Sequence, residues 1–235
     1  MEETVFPIVT YNSETNKWKC LGTGFFINPV GAFITAKHLL FDGEKITEQT
    51  LLGIQKIGEN EYHVREVNKL SVHVKSDIMI GILGKRRKDF QGIKPELSKY
   101  SVIDFEPLNI DDEIYTYSFP NTTSIVLNEE DEEFTFIGTY SKGKIIDFHE
   151  NGSAHLKSRC FQTNMKMDGG ASGGPVFKKG YIVGINSSSF NLSPEEEPIS
   201  FITPIDYILD LTVIENGKKI TVKQLIEGGY IKTKN

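Results

Sequence analysis

Up to about residue 200 the chain is a succession of short β-rich segments separated by turn signals, with no sustained helical period among them. The pattern predicts an all-β sandwich or barrel. Expected strands are 4–11, 24–27, 32–36, 63–67, 78–83, 114–119, 134–140, 144–148, 155–163 and 181–186. The intervening stretches 28–31, 41–43, 141–143 and 150–152 each carry a glycine, and some an asparagine, residues that take positive φ at little steric cost, so they read as turns. No internal repeat is apparent.

β character fades between residues 85 and 101 and resumes near Asp111, which marks a boundary between two halves. The run Lys85-Arg86-Arg87-Lys88 sits beside Asp89 on an acidic chain and reads as a solvated loop, not a nucleic-acid patch. Acidic clusters at 129–133 and 195–197 read as exposed loops without Ca²⁺-loop spacing. From Pro204 the period changes: Ile205, Ile208, Leu209 and Leu211 suit one face of a short helix. A strand over 219–222 then passes into a last short helix, stopped by Gly228-Gly229.

Composition narrows the function classes. The 235 residues, 38% hydrophobic and 25% charged, supply one large or two small cores. A formal net charge of −6 argues against a phosphate-backbone binder, whose affinity rests on clustered positive charge. No apolar run approaches the roughly 18 residues of a membrane span, and the start Met1-Glu2-Glu3 lacks the basic and apolar regions of a signal peptide. The expectation is a cytoplasmic protein with no nucleic-acid or membrane partner. Cys20 and Cys160 allow at most one disulfide, so stability must come from packing.

The segment from Asp168 to Phe177 packs Ser172 among Gly169, Gly170, Gly173 and Gly174. Such glycines let backbone approach a substrate and aim adjacent N–H groups at one point, which makes Ser172 a candidate nucleophile; a glycine-rich hairpin with an incidental serine is the plainer reading. Gly170-Ala171-Ser172-Gly173-Gly174 also fits the Gly-x-Ser-x-Gly elbow of α/β-hydrolases. That fold needs a histidine after the serine, and all five histidines (38, 63, 73, 149, 155) precede it. Among them His38 is best placed, at the end of an apolar strand; the others read as surface or core residues without metal-ligand spacing. Asp77, just ahead of the apolar run 78–83, is the candidate acid, since a partly buried carboxylate there needs a partner such as an imidazole N–H.

Taken together, 22–27, 33–38, 76–83 and 170–176 resemble the signature regions of chymotrypsin/trypsin-like serine proteases, in the order His38, Asp77, Ser172. Residues 111–120 and 199–205 resemble segments of the bacterial HtrA-like branch, and the similarity covers about 4–212. The resemblance implies two six-stranded antiparallel β-barrels, with residues 1–110 carrying His38 and Asp77, residues 111–212 carrying Ser172, and a C-terminal extension with a short helix and tail over 213–235. It implies a serine endopeptidase without metal or cofactor, acting on a protein or peptide substrate. Ser172 would be the nucleophile, His38 the base and Asp77 its orienting acid, with the N–H groups of Gly170 and Ser172 as oxyanion hole. It assigns Met165, Lys166, Met167, Asp168 and Asn186 to the primary pocket, and Ser187, Ser188 and Ser189 to the strand that pairs with substrate. Lys166 would select acidic side chains if it faced inward, or else extend to solvent.

There are departures. Ala171 replaces the aspartate that pairs with a new N-terminus in secreted trypsins, and Leu39 stands where a cysteine follows the histidine. Cys20 and Cys160 then read as buried thiols. The competing expectation is a latent or non-catalytic module that binds, and is activated by, a regulatory protein partner, with the tail 215–235 as a docking segment.

Overall fold

The computed structural model describes all residues except 1, 13–16, 43–44, 47–49, 59–61, 85–98, 121, 127–131, 191–195, 216 and 235. The basic run 85–88 lies outside the described residues. Six strands form the first barrel: β1 (Val5–Asn12), β2 (Lys17–Phe26), β3 (Ala32–Thr35), β4 (Thr50–Lys56), β5 (Tyr62–Val72) and β6 (Met79–Leu83). Six more form the second: β7 (Glu113–Ser118), β8 (Thr139–His149), β9 (Cys160–Thr163), β10 (Pro175–Lys178), β11 (Tyr181–Phe190) and β12 (Ile199–Pro204). The first barrel closes in the order β1-β2-β3-β6-β5-β4 and the second repeats it as β7-β8-β9-β12-β11-β10, every pairing antiparallel. This is the chymotrypsin-like fold, and its repeat is one of topology that the sequence does not show as a repeat.

Aromatic residues fill the first barrel: Phe6, Phe25, Phe26 and Phe33 are fully buried, with the Phe6 and Phe26 ring centroids 4.5 Å apart. The second core is aliphatic and thioether, built on Ile114, Ile145, Met165, Val176 and Ile202. Strand β4 is absent from the sequence expectations because Leu51 to Gln55 are all buried, so no alternation marks it. The expected turn 141–143 is instead the middle of β8; Gly143 is there for close approach, since a Cβ would come within 2.6 Å of the Met165 nitrogen. The strand expected from 155 begins only at Cys160, because the Ser153 hydroxyl accepts the N–H groups of His155 and Leu156 in a local turn.

After β12 the chain makes a 3₁₀ turn over Ile205–Asp210, a hairpin of Thr212–Glu215 with Lys218–Thr221, and α1 (Val222–Glu227). A capping box between Thr221 and Gln224 starts α1. This extension folds back onto its own chain: Leu211, Val222 and Ile231 join the core cluster that links the two barrels. Ile103, in the segment between the barrels, pairs with both Ile182 and Thr233, and Lys234 Nζ reaches Asp104 at 2.9 Å and Glu106 at 2.8 Å. Among the described residues no helix is long and apolar enough to cross a membrane.

Candidate active site

Strand β3 ends at Thr35, and Lys37–Leu39 turn in a short 3₁₀ segment that leaves the His38 side chain 45% exposed. Asp77 lies in the β5–β6 loop, its side chain 12% exposed. It grips His38 twice: Oδ1 accepts the backbone N–H at 2.9 Å and Oδ2 meets Nδ1 at 2.8 Å. With Nδ1–H held by the carboxylate, Nε2 is left as the basic nitrogen.

The loop 168–174 spends several of its N–H groups on the protein. Ala171 N–H donates to the Asp168 carbonyl, Gly173 N–H to Asn186 and Gly174 N–H to Ala171. Among the described residues the N–H groups of Gly170 and Ser172 have no protein acceptor. Two free N–H groups flanking a bonded one are donors available to a developing oxyanion. Gly170 and Gly173 sit at φ +94° and +80°, a region costly for residues with a Cβ.

Thr23, fully buried on β2, fastens this loop to the first barrel. Its N–H donates to the Ser172 carbonyl at 2.9 Å, its hydroxyl donates to the Gly170 carbonyl at 2.9 Å and accepts Phe119 N–H, and its carbonyl accepts the Thr35 hydroxyl at 2.7 Å. A Cβ on Gly173 would overlap Thr35 Oγ1 and the Thr23 carbonyl and come within 2.9 Å of the Ala36 nitrogen. The Ser172 backbone is thereby brought to the strand end from which His38 emerges. Sequence reasoning gave Thr23 no role, because its partners are distant in the chain, Gly170 lying 147 positions away.

The residues assigned to substrate are placed unevenly. Met165 and Met167 are buried and pack into the second core beside Ala171. Lys166 is 70% exposed and pairs with Asp168 at 3.5 Å, the solvent-facing alternative. Asn186 is buried beneath the 168–174 loop, its Nδ2 donating to Thr116 Oγ1 and to the Ala171 carbonyl while Oδ1 is buried without a partner. The Ser187 hydroxyl is buried against Thr203 Oγ1 at 2.7 Å. Ser188 and Ser189 are half-buried on the end of β11, which pairs with β12 on one side and extends past the last β10 pairing at Ile185 on the other.

Burial pushes the thiols of Cys20 and Cys160 up, away from thiolate, and Cys20 is half-buried where full burial was expected. Among the described residues no group of three or more His, Cys, Asp or Glu is placed to hold a metal.

No curated protein sequence matches the chain. Among solved structures, the Rv3671c protease from M. tuberculosis in its active form superposes with TM-score 0.58 at 15% identity, covering 100% of this chain and 84% of that one. Deg5 superposes with TM-score 0.63 at 15% identity, covering 100% and 92%. The family model for the trypsin-like peptidase domain matches residues 22–185, most of both barrels, and the chain belongs to that family.

Proposed function

We propose that the chain is a serine endopeptidase working through Ser172, His38 and Asp77. The observation that carries this reading is the double grip of Asp77 on His38, at 2.9 Å to the backbone N–H and 2.8 Å to Nδ1. It holds the imidazole in the tautomer a general base needs and stabilises the imidazolium that forms. Ser172 Oγ attacks the scissile carbonyl carbon as His38 Nε2 takes its proton. The carbonyl oxygen, now an anion, is met by the N–H groups of Gly170 and Ser172. The tetrahedral intermediate collapses as His38 returns the proton to the leaving amine, leaving an acyl-enzyme. Water then attacks the ester by the same route in reverse roles, His38 first taking its proton and then protonating Ser172 Oγ as the acid is released.

An extended substrate would lie beside the open edge at Ser187 to Ser189, recognised through backbone hydrogen bonds. Solvent exposure of Lys166 favours a pocket that does not select acidic side chains. The extension 213–235 is engaged with its own barrels, so a docking role for it in a partner-activated module gains no support. A reducing, cytoplasmic setting forms part of the proposal, consistent with the free thiols of Cys20 and Cys160.

The test is turnover of a denatured protein substrate, followed by the new N-termini it creates. Wild type should generate them and His38→Ala should not; equal cleavage by the two would overturn the reading.

A further inference from the structure

His73 opens the loop that presents Asp77, and its ring is built into that loop. The backbone N–H of His73 donates to the Ile78 carbonyl at 3.0 Å, closing the turn. Inside it, Nδ1 accepts the N–H groups of Ser76 at 2.9 Å and Lys75 at 3.2 Å. A ring nitrogen that accepts two N–H groups carries no proton, so the neutral ring bears its hydrogen on Nε2. That nitrogen faces Asp210 Oδ2 at 3.6 Å, and the ring lies 4.9 Å from the Tyr207 ring.

The contacts on the far side lead to the second barrel. Arg159 stands with its guanidinium 5.1 Å from the Tyr207 ring and holds the Asp206 carboxylate at 2.6 Å. On the near side, Lys37 Nζ, next to His38 in the chain, donates to the His73 carbonyl at 3.4 Å. The charged and titratable side chains in contact with His73 are thus Lys37, Tyr207 and Asp210. The side chain is only 11% exposed.

We propose that His73 is a positioning residue for Asp77: as an Nδ1 acceptor it sets the 73–78 loop so that the carboxylate meets His38, and it ties that loop to the 3₁₀ turn 205–210 held by the second barrel. The catalytic consequence rests on the peptidase reading above; the positioning itself does not. Without the acceptor, the N–H groups of Lys75 and Ser76, the two residues before Asp77, lose their partner. The loop is then free to displace the carboxylate that orients the imidazole.

The test uses the whole chain and two variants. His73→Asn keeps an acceptor at the δ position, able to bond the same N–H groups as an Asx turn does. His73→Gln moves the acceptor out to the ε position. In wild type, ¹⁵N NMR should report His73 with Nδ1 unprotonated and Nε2 protonated, and proton NMR should show a downfield resonance from His38 Nδ1–H on Asp77. That resonance should persist in His73→Asn and be lost in His73→Gln. Turnover should fall about 10- to 100-fold in His73→Gln with KM little changed, the scale expected of a small misplacement at a reacting centre. Two variants that behave alike, or a wild-type His73 protonated at Nδ1, would overturn the proposal. Loss of the His38 resonance in His73→Gln with no turnover even in wild type would uphold the positioning and count against the peptidase reading.

Discussion

The hydroxyl of Thr23 donates to the Gly170 carbonyl across 2.9 Å, joining strand β2 of the first barrel to the loop that carries Ser172. Thr23→Val keeps the shape and removes the hydroxyl, stranding the part-buried Gly170 carbonyl and the buried Phe119 N–H. The expected cost is about 1–3 kcal/mol for each unsatisfied group, read as a lower urea midpoint at unchanged slope. Reactivity at Ser172 should fall with it. A variant as stable and as reactive as wild type would show that this bond does not hold the loop.

Asp77→Asn tests the acid. The amide can still accept the His38 backbone N–H, but an NH₂ group facing Nδ1 favours the wrong tautomer. Turnover should drop about 10⁴-fold while the unfolding transition barely moves. An unchanged rate would remove Asp77 from the machinery.

What could be read from the sequence, and what could not, follows from the range of the interactions. Ser172, His38 and Asp77 stand in local settings, a glycine cluster and two strand ends, that can be seen within ten residues. Thr23 and Asn186 act through hydrogen bonds to residues distant in the chain, and nothing in their neighbours announces it. Strand β4 is buried on both faces and so has no period-2 signature. Gly143 was legible as special but not as a strand residue, because the close approach of Met165 is tertiary. Met165 and Met167 carry no local mark of facing the core.

Lys166 bears on specificity. Its ammonium stands in solvent beside Asp168, so Lys166→Ala should leave the ratio of kcat/KM for acidic and apolar peptides within about twofold, the scale of a screened surface charge. A collapse of cleavage after acidic residues in that variant would place the ammonium in the pocket.

Asp104 sets part of the acid limb of stability. Burial pushes its carboxyl up, but the Lys234 ammonium and the Glu106 N–H more than offset this, and the net pKa lies below the usual carboxylate value. A depressed folded-state pKa stabilises the fold above the unfolded value near 4, and that contribution is lost as pH falls through the folded value. Urea unfolding of wild type and Asp104→Asn should therefore differ most above about pH 5 and converge as pH falls below the unfolded value near 4. A difference that grows on acidification would contradict the assignment.

The central claim is that Ser172 is a nucleophile activated by its surroundings. A fluorophosphonate probe, which reacts with activated serines, should label the folded wild-type chain on the peptide containing Ser172, and mass spectrometry should find no label on folded Ser172→Ala. Equal labelling of the two proteins, or none on wild type, would contradict the account.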